Sequence, residues 1–190
     1  MQEQGDDRTA LQAHLATIWQ ALREKHQLAY ANRDSRGKLH EGICSPCRLE
    51  YDAVANRFYL IIWQEAEARA IKMRVASLES VQCLDAPIPA GTEEAFQQFL
   101  ASCRQSVTLR IERRNNAVER CFMMFASYDK EASYDEDTDT YTMQLYYYDF
   151  DRHEILQQIL SLGAAATVLA PADMREAIIE RLQAAWQNLQ

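Results

Sequence analysis

Leu11, Leu15, Ile18 and Leu22 recur at i, i+4, i+7 and i+11, which places them on one face of a helix over residues 7–25. Beyond it the period changes from helical to alternating. Leu28–Tyr30, a polar Asn32–Gly37 turn and Leu39–Ile43 predict a hairpin. Pro46 has no N–H to give to a ladder, so it predicts the start of a third strand or a sheet edge. Asp52–Arg57 predicts a turn, and the apolar run Phe58–Trp63 predicts a fourth strand covered on both faces. Ala70–Val75 alternates, with Ile71, Met73 and Val75 on one side and Lys72 and Arg74 on the other. Leu78 and Val81 continue into the sheet. About five short strands with tight turns predict a small barrel of SH3 or Sm type.

A second pattern follows Asp85–Gly91, a boundary segment with two prolines and a glycine. Thr92 is predicted as the N-cap of a helix with Glu93 and Glu94 in its first turn, burying Phe96, Phe99, Leu100 and Cys103. Val107–Ile111 alternates as a strand. Asn116–Phe125 fits a helix, although Phe122–Phe125 also fits the start of a strand. Glu131–Tyr134 and Thr140–Tyr148 predict a hairpin around Asp135–Asp139. Asp151 with Glu154 has capping-box spacing, and Gly163 ends that helix. Ala166–Leu169 predicts a last strand, and Pro171 opens a helix at N1 with Met174, Ile178, Leu182 and Trp186 on one face. The order β-α-β-β-α-β is that of a ferredoxin-like fold. The predicted class is therefore α+β: an N-terminal helix (1–25), a small SH3/Sm-like β-barrel (26–86), a linker helix (87–105) and a ferredoxin-like α/β extension (106–190).

Composition narrows the function classes. A net charge of −8 argues against non-specific nucleic-acid binding by the whole surface. The charge is uneven, however: Asp129–Asp151 holds eight acids and one lysine, whereas Arg104–Arg120 holds five arginines and two glutamates. A local basic site is compatible with that distribution. No apolar stretch reaches the roughly 20 residues of a membrane span, and the first residues lack a basic, then apolar, leader pattern. Five scattered cysteines suit reduced thiols better than a disulfide framework. The expected location is the cytoplasm. No G-x-S-x-G, P-loop, H-E-x-x-H or G-x-G-x-x-G occurs, so neither an enzyme nor a cofactor is expected.

The strongest candidate chemistry is the basic and aromatic set in the first half. Lys72 and Arg74, with Arg48 and Arg69, supply a point charge and planar forks suited to phosphates. Tyr30 and Tyr59 offer surfaces on which bases stack. The alternative is a solvated face over ordinary core tyrosines. Cys44-Ser-Pro-Cys47 suggests a redox pair or, with His40, a zinc site, but the pair sits where a strand begins rather than at a helix N-terminus, and a fourth ligand is lacking. Asp135, Asp137 and Asp139 resemble the start of a calcium loop, yet Thr140 and Tyr146 stand where its glycine and bidentate acid belong. A solvated hairpin tip fits them better, and Tyr146–Tyr148 fits strand core and edge.

In order and spacing these segments resemble the WYL domain of bacterial regulatory proteins. The likeness runs through Tyr30, Pro46, Phe58-Tyr59-Leu60 in place of Trp-Tyr-Leu, and Met73-Arg74-Val75 in place of Phe-Arg-Leu. It continues in residues 153–186, which resemble the helix, turn, short strand, proline and helix that close the family's ferredoxin-like extension. Roughly residues 26–190 are covered. Ser77 stands where the family has an arginine, and one helix replaces the winged helix-turn-helix domain that commonly precedes the barrel. The resemblance implies a ligand-sensing regulatory or accessory module. It would bind a nucleotide or single-stranded nucleic acid through Tyr30, Arg48, Tyr59, Arg69, Lys72, Arg74 and the Ser77 position. The expected setting is transcriptional or defence-related regulation, as a homodimer or with a partner regulator and no membrane. The alternative is a protein-interaction or dimerisation module that has lost its ligand.

Overall fold

The computed structural model describes residues 3–33, 37–52 and 55–189, with side chains from residue 8 onward. The chain divides into two units, 1–102 and 103–190. Among the described residues no helix is long and apolar enough to cross a membrane.

In the first unit, helix α1 (Glu3–Glu24) turns its apolar stripe onto a sheet. Ile18 and Ala21 are fully buried there beside Leu28, Tyr30, Cys44, Leu60, Ile62, Met73 and Leu78. Full burial of one such aliphatic chain stabilises the fold by about 1.5–3 kcal/mol, so the helix is fastened to the sheet by its sequence periodicity. Lys25 adopts a left-handed conformation (φ 56°) and turns the chain into strand β1 (His26–Arg33). Strands β2 (Leu39–Asp52), β3 (Arg57–Gln64), β4 (Arg69–Arg74) and β5 (Leu78–Pro87) complete an antiparallel sheet of order β4-β3-β2-β1-β5. A 3-10 turn, Val75–Ser77, separates β4 from β5.

The strand count agrees with the sequence reading, but the division differs at Pro46. Instead of opening a new strand, Pro46 lies inside β2, a single strand of 14 residues. β2 serves two neighbours in turn: Leu39–Cys44 pair with β1 and Ser45–Asp52 with β3. Pro46 falls past the last β1 pair, Leu28↔Cys44, and next to an irregularity between Pro46 and Arg48. The missing N–H is tolerated because the ladder changes partner there. The centre of the predicted Asn32–Gly37 turn (34–36) and part of the Asp52–Arg57 turn (53–54) lie outside the described residues.

Helix α2 (Thr92–Ser102) belongs to this unit and buries Phe96 and Leu100. Thr92 is its first residue, and its hydroxyl donates to the Glu65 carboxylate at 2.5 Å rather than capping the helix. The same carboxylate accepts from the buried Ser45 hydroxyl (3.0 Å) and the Trp63 indole (2.9 Å). Glu65 thus ties β2, β3 and α2 together, and Trp63 meets Phe99 edge-on at 5.6 Å.

The second unit runs β6 (Arg104–Glu112), α3 (Ala117–Met124), β7 (Lys130–Asp135), β8 (Thr140–Tyr148), α4 (Arg152–Ser161), β9 (Ala166–Ala170) and α5 (Ala172–Gln187). The sheet order is β7-β8-β6-β9, with every neighbouring pair antiparallel. That is the expected ferredoxin-like topology. Val107, Leu109, Ile111, Met143, Leu145 and Tyr147 alternate onto one face and are buried under Cys121, Phe125, Ile155, Ile159 and Met174.

Three local expectations change in this unit. Phe122–Met124 stay within α3, which packs Cys121 into the core, so no strand starts there. Asp151 holds the N-cap position of α4, but a preceding 3-10 turn already sets it in helical backbone, and its side chain makes no cap bond. Pro171 is the N-cap of α5 rather than its first residue, and the stripe it introduces is only half used. Met174 is fully buried, whereas Leu182 and Trp186 are 56% and 64% exposed.

Candidate functional site

Cross-strand register places the candidate residues. Arg48, Ile61 and Lys72 form one row across β2, β3 and β4; Glu50, Tyr59 and Arg74 form the next. Directly paired residues, and residues two apart, share a face. Arg48, Tyr59, Lys72 and Arg74 therefore lie on one side of the sheet. Leu60, Ile62 and Met73 lie on the other side, in the core. Further along the first side come Trp63 and Ala70, which pair with each other and are buried beside α2. One end of this face is thus roofed by the helix, and the other carries the charged and aromatic groups.

Within that open end, the Lys72 ammonium lies 4.9 Å from the centre of the Tyr59 ring and 3.4 Å from the Glu50 carboxylate. Arg48 reaches the other Glu50 oxygen at 3.5 Å. Arg74 is exposed and forms no ion pair among the described residues. The register also places Asp52 opposite Arg57 on this side, so four basic groups against two acids leave a net positive, amphipathic face with Tyr59 half-buried at its centre. Arginine forks and a lysine point charge suit a planar or multivalent anion.

The remaining candidates sit elsewhere. Tyr30 is on the core side, 7% exposed, and its hydroxyl accepts from the Gln64 amide at 3.0 Å. Burial pushes its pKa up. Its ring packs with Leu28 and Leu60 and offers no stacking surface. Arg69, near the β3–β4 turn, donates to Gln64 at 3.3 Å and pairs with Glu67 at 2.6 Å. Tyr30, Gln64 and Arg69 thus form a separate chain on the opposite side from Tyr59. Ser77 donates to the Arg74 carbonyl at 2.7 Å, closing the turn between β4 and β5. The structure accordingly brings four of the seven residues onto one face and sets three apart. Glu50, which holds two of the four, carried no signal of its own beyond its alternation with Arg48.

The other motifs resolve into structural roles. Cys44 is buried in the core, Cys47 donates weakly to the Ser45 carbonyl, and burial pushes both thiols up to about 12. They are protonated at neutral pH and unsuited to thiolate chemistry. His40 does not converge with them into a metal-binding group among the described residues. At the β7–β8 tip, Asp135 accepts the N–H groups of Asp137 and Thr138. Asp139 accepts from Tyr134 (2.8 Å) and pairs with Arg113 (3.0 Å). Those bonds hold both carboxyls below the usual range, the Thr138 side-chain bond acting most on Asp135 and the Tyr134 bond most on Asp139. The tip is closed by its own hydrogen bonds.

Barrel-type unit, ferredoxin-like unit and their order define a two-module architecture, and family comparison agrees. Residues 13–83 match the WYL domain and residues 103–186 the WCX domain. The chain belongs to the WYL-domain proteins, whose members are generally regulators rather than enzymes. No curated protein matches it. Among solved structures it is similar to a CRISPR Cas-related protein, at 9% identity and a TM-score of 0.51, over 98% of this chain and 54% of that one. It is also similar to Proteasome accessory factor B/C (PafBC) of Arthrobacter aurescens, at 16% identity and a TM-score of 0.41, over 88% of this chain and 26% of that one. The chain therefore spans about half of the first and about a quarter of the second.

Proposed function

We propose that this chain is a ligand-sensing regulatory or accessory module whose β2-β3-β4 face receives a nucleotide or a short single-stranded nucleic acid. The observation that carries the reading is the grouping of Arg48, Lys72 and Arg74 around Tyr59 on one open face. Phosphates would meet Arg74 first, since it is the basic group not engaged by Glu50. Lys72 and Arg48 would then exchange Glu50 for the ligand, and a base would stack on Tyr59. Transcriptional or defence-related regulation is the setting we assign, in line with the family and with the CRISPR Cas-related protein of similar fold. A cytoplasmic location and action as a homodimer or with a partner regulator complete the proposal.

The experiment is a titration of labelled single-stranded DNA and RNA, and of nucleotides, at two salt concentrations. Affinity should fall steeply with salt, and Lys72→Ala and Arg74→Ala should flatten the slope. No binding tighter than about 100 µM at low salt overturns the ligand reading. A second reading, a protein-interaction or dimerisation module, is favoured by one observation. Helix α5 exposes Ile179, Leu182 and Trp186 at 46%, 56% and 64%, a hydrophobic stripe of the kind that marks contact surfaces.

A further inference from the structure

We propose that Glu24, His26 and Cys83 form a binding site for a divalent, borderline-soft metal ion, zinc being the best fit. One ligand atom from each lies within 4.8 Å of those from the other two. The three come from three elements of the first unit: the last turn of α1, the first residue of β1, and β5. This site is independent of the proposed ligand face.

Two local irregularities build it. The left-handed Lys25 reverses the chain between helix and strand, so that Glu24 and His26 face each other with Glu24 Oε2 4.0 Å from His26 Nδ1. Opposite them the β1–β5 register slips: His26 pairs with Pro87, but Leu28 pairs with Cys83. β5 thus takes four steps where β1 takes two. Extra residues of this kind re-aim side chains next to functional sites. Here the slip places Cys83 and Asp85 together on the wall of an open groove of about 410 Å³, also lined by Thr17, Gln20, Glu24 and His26.

The donor set selects the ion. A thiolate, an imidazole and a carboxylate are the ligands zinc takes, whereas magnesium and calcium take oxygen almost alone. Two carboxylates in the groove make it attractive to a cation. Arg23, the neighbouring cation, is 69% exposed on its side chain and bonds only one Glu24 oxygen at 3.1 Å; Gln20 donates to the other at 3.1 Å. With metal–ligand bonds near 2.0–2.3 Å, tetrahedral ligand atoms stand roughly 3.5 Å apart. Closing from 4.8 Å therefore asks for rotamer adjustment of Glu24 and a small shift of His26. Asp85 or a water would complete four-coordination, and the Cys83 thiol would give its proton to the buffer.

The test uses the full chain, reduced and stripped of metal, titrated with zinc against a chromogenic chelator. One zinc per chain is expected, with a Kd tighter than about 10 µM. Cys83→Ser and His26→Ala should each lose at least about tenfold in affinity, and Cys47→Ser should lose none. Cobalt substituted for zinc should show a thiolate charge-transfer band that Cys83→Ser abolishes. Circular dichroism checks folding, and if either of these partly buried positions does not tolerate its variant, Glu24→Gln at the exposed helix end decides by the same tenfold criterion. Binding weaker than the stated limit, or affinity unchanged in the folded Cys83→Ser or Glu24→Gln protein, overturns the site.

Discussion

Lys72 holds its ammonium 4.9 Å from the centre of the Tyr59 ring and 3.4 Å from Glu50, with its side chain only 15% exposed. A cation over an aromatic face at this depth contributes about 1–2 kcal/mol, between the exposed and the desolvated cases. In the proposed binding mode a nucleotide would use the same ring and the same ammonium, and its binding would displace one contact to make another. Glu50 is the competitor.

That competition gives the first prediction. Glu50→Gln removes the acid that holds Lys72 and Arg48, so affinity for single-stranded nucleic acid should rise severalfold at low salt. Arg74→Ala should lower the slope of log affinity against log salt by about 0.7, the loss of one phosphate contact on a single strand. Fluorescence anisotropy over a salt series measures both. An unchanged affinity in Glu50→Gln would detach this face from binding.

Glu65 supports a prediction about stability. Its carboxylate accepts from Ser45, Trp63 and Thr92, and all three of these residues are buried. Glu65→Ala leaves those donors without their acceptor and should cost about 2 kcal/mol. Glu65→Gln, which keeps an acceptor oxygen, should cost less. Urea midpoints at unchanged m-value separate the two, and equal midpoints for wild type and Glu65→Ala would refute the role.

A third prediction concerns alkali. Burial pushes the thiols of Cys44, Cys47 and Cys121 from an ordinary value of 9.0 up to about 12. The folded state keeps these protons after the unfolded chain has lost them. Their contribution is therefore complete below about pH 9 and disappears as pH rises from there towards about 12, by up to about 1.4 kcal/mol per pH unit and thiol. Tyr30 and Tyr147, also raised chiefly by burial, act in the same direction above pH 10. Unfolding midpoints measured from about pH 8 to about pH 10.5 should fall, and Cys121→Ala should make that fall shallower.

The α5 stripe gives a fourth. If a second copy of the chain covers Leu182 and Trp186, then Leu182→Glu and Trp186→Glu should turn a dimer into a monomer in light scattering. The wild-type thermal midpoint should then rise with protein concentration and those of the two variants should not, because only the dimer gains stability by mass action. A wild-type monomer at high concentration rejects dimerisation through this helix.

What the sequence determined by itself was what short-range physics controls. The i, i+4, i+7 spacing of Leu11, Leu15 and Ile18 made α1, and the alternation of Ile71 to Val75 made β4, because periodicity decides which side of an element can be buried. The order of elements after Arg104 then allowed little besides a ferredoxin-like sheet. Tertiary structure decided everything that depended on partners distant in the chain. Tyr30 and Tyr59 look equivalent in sequence, yet pairing sends one into the core and the other onto an open face. Pro46 reads locally as a strand start, but the change of β2 from β1 to β3 lets it stay inside one strand. Glu50 and Glu65 gained their roles only from the residues opposite them. His26 and Cys83, distant along the chain and sharing no motif, came together through a register slip that no local pattern encodes.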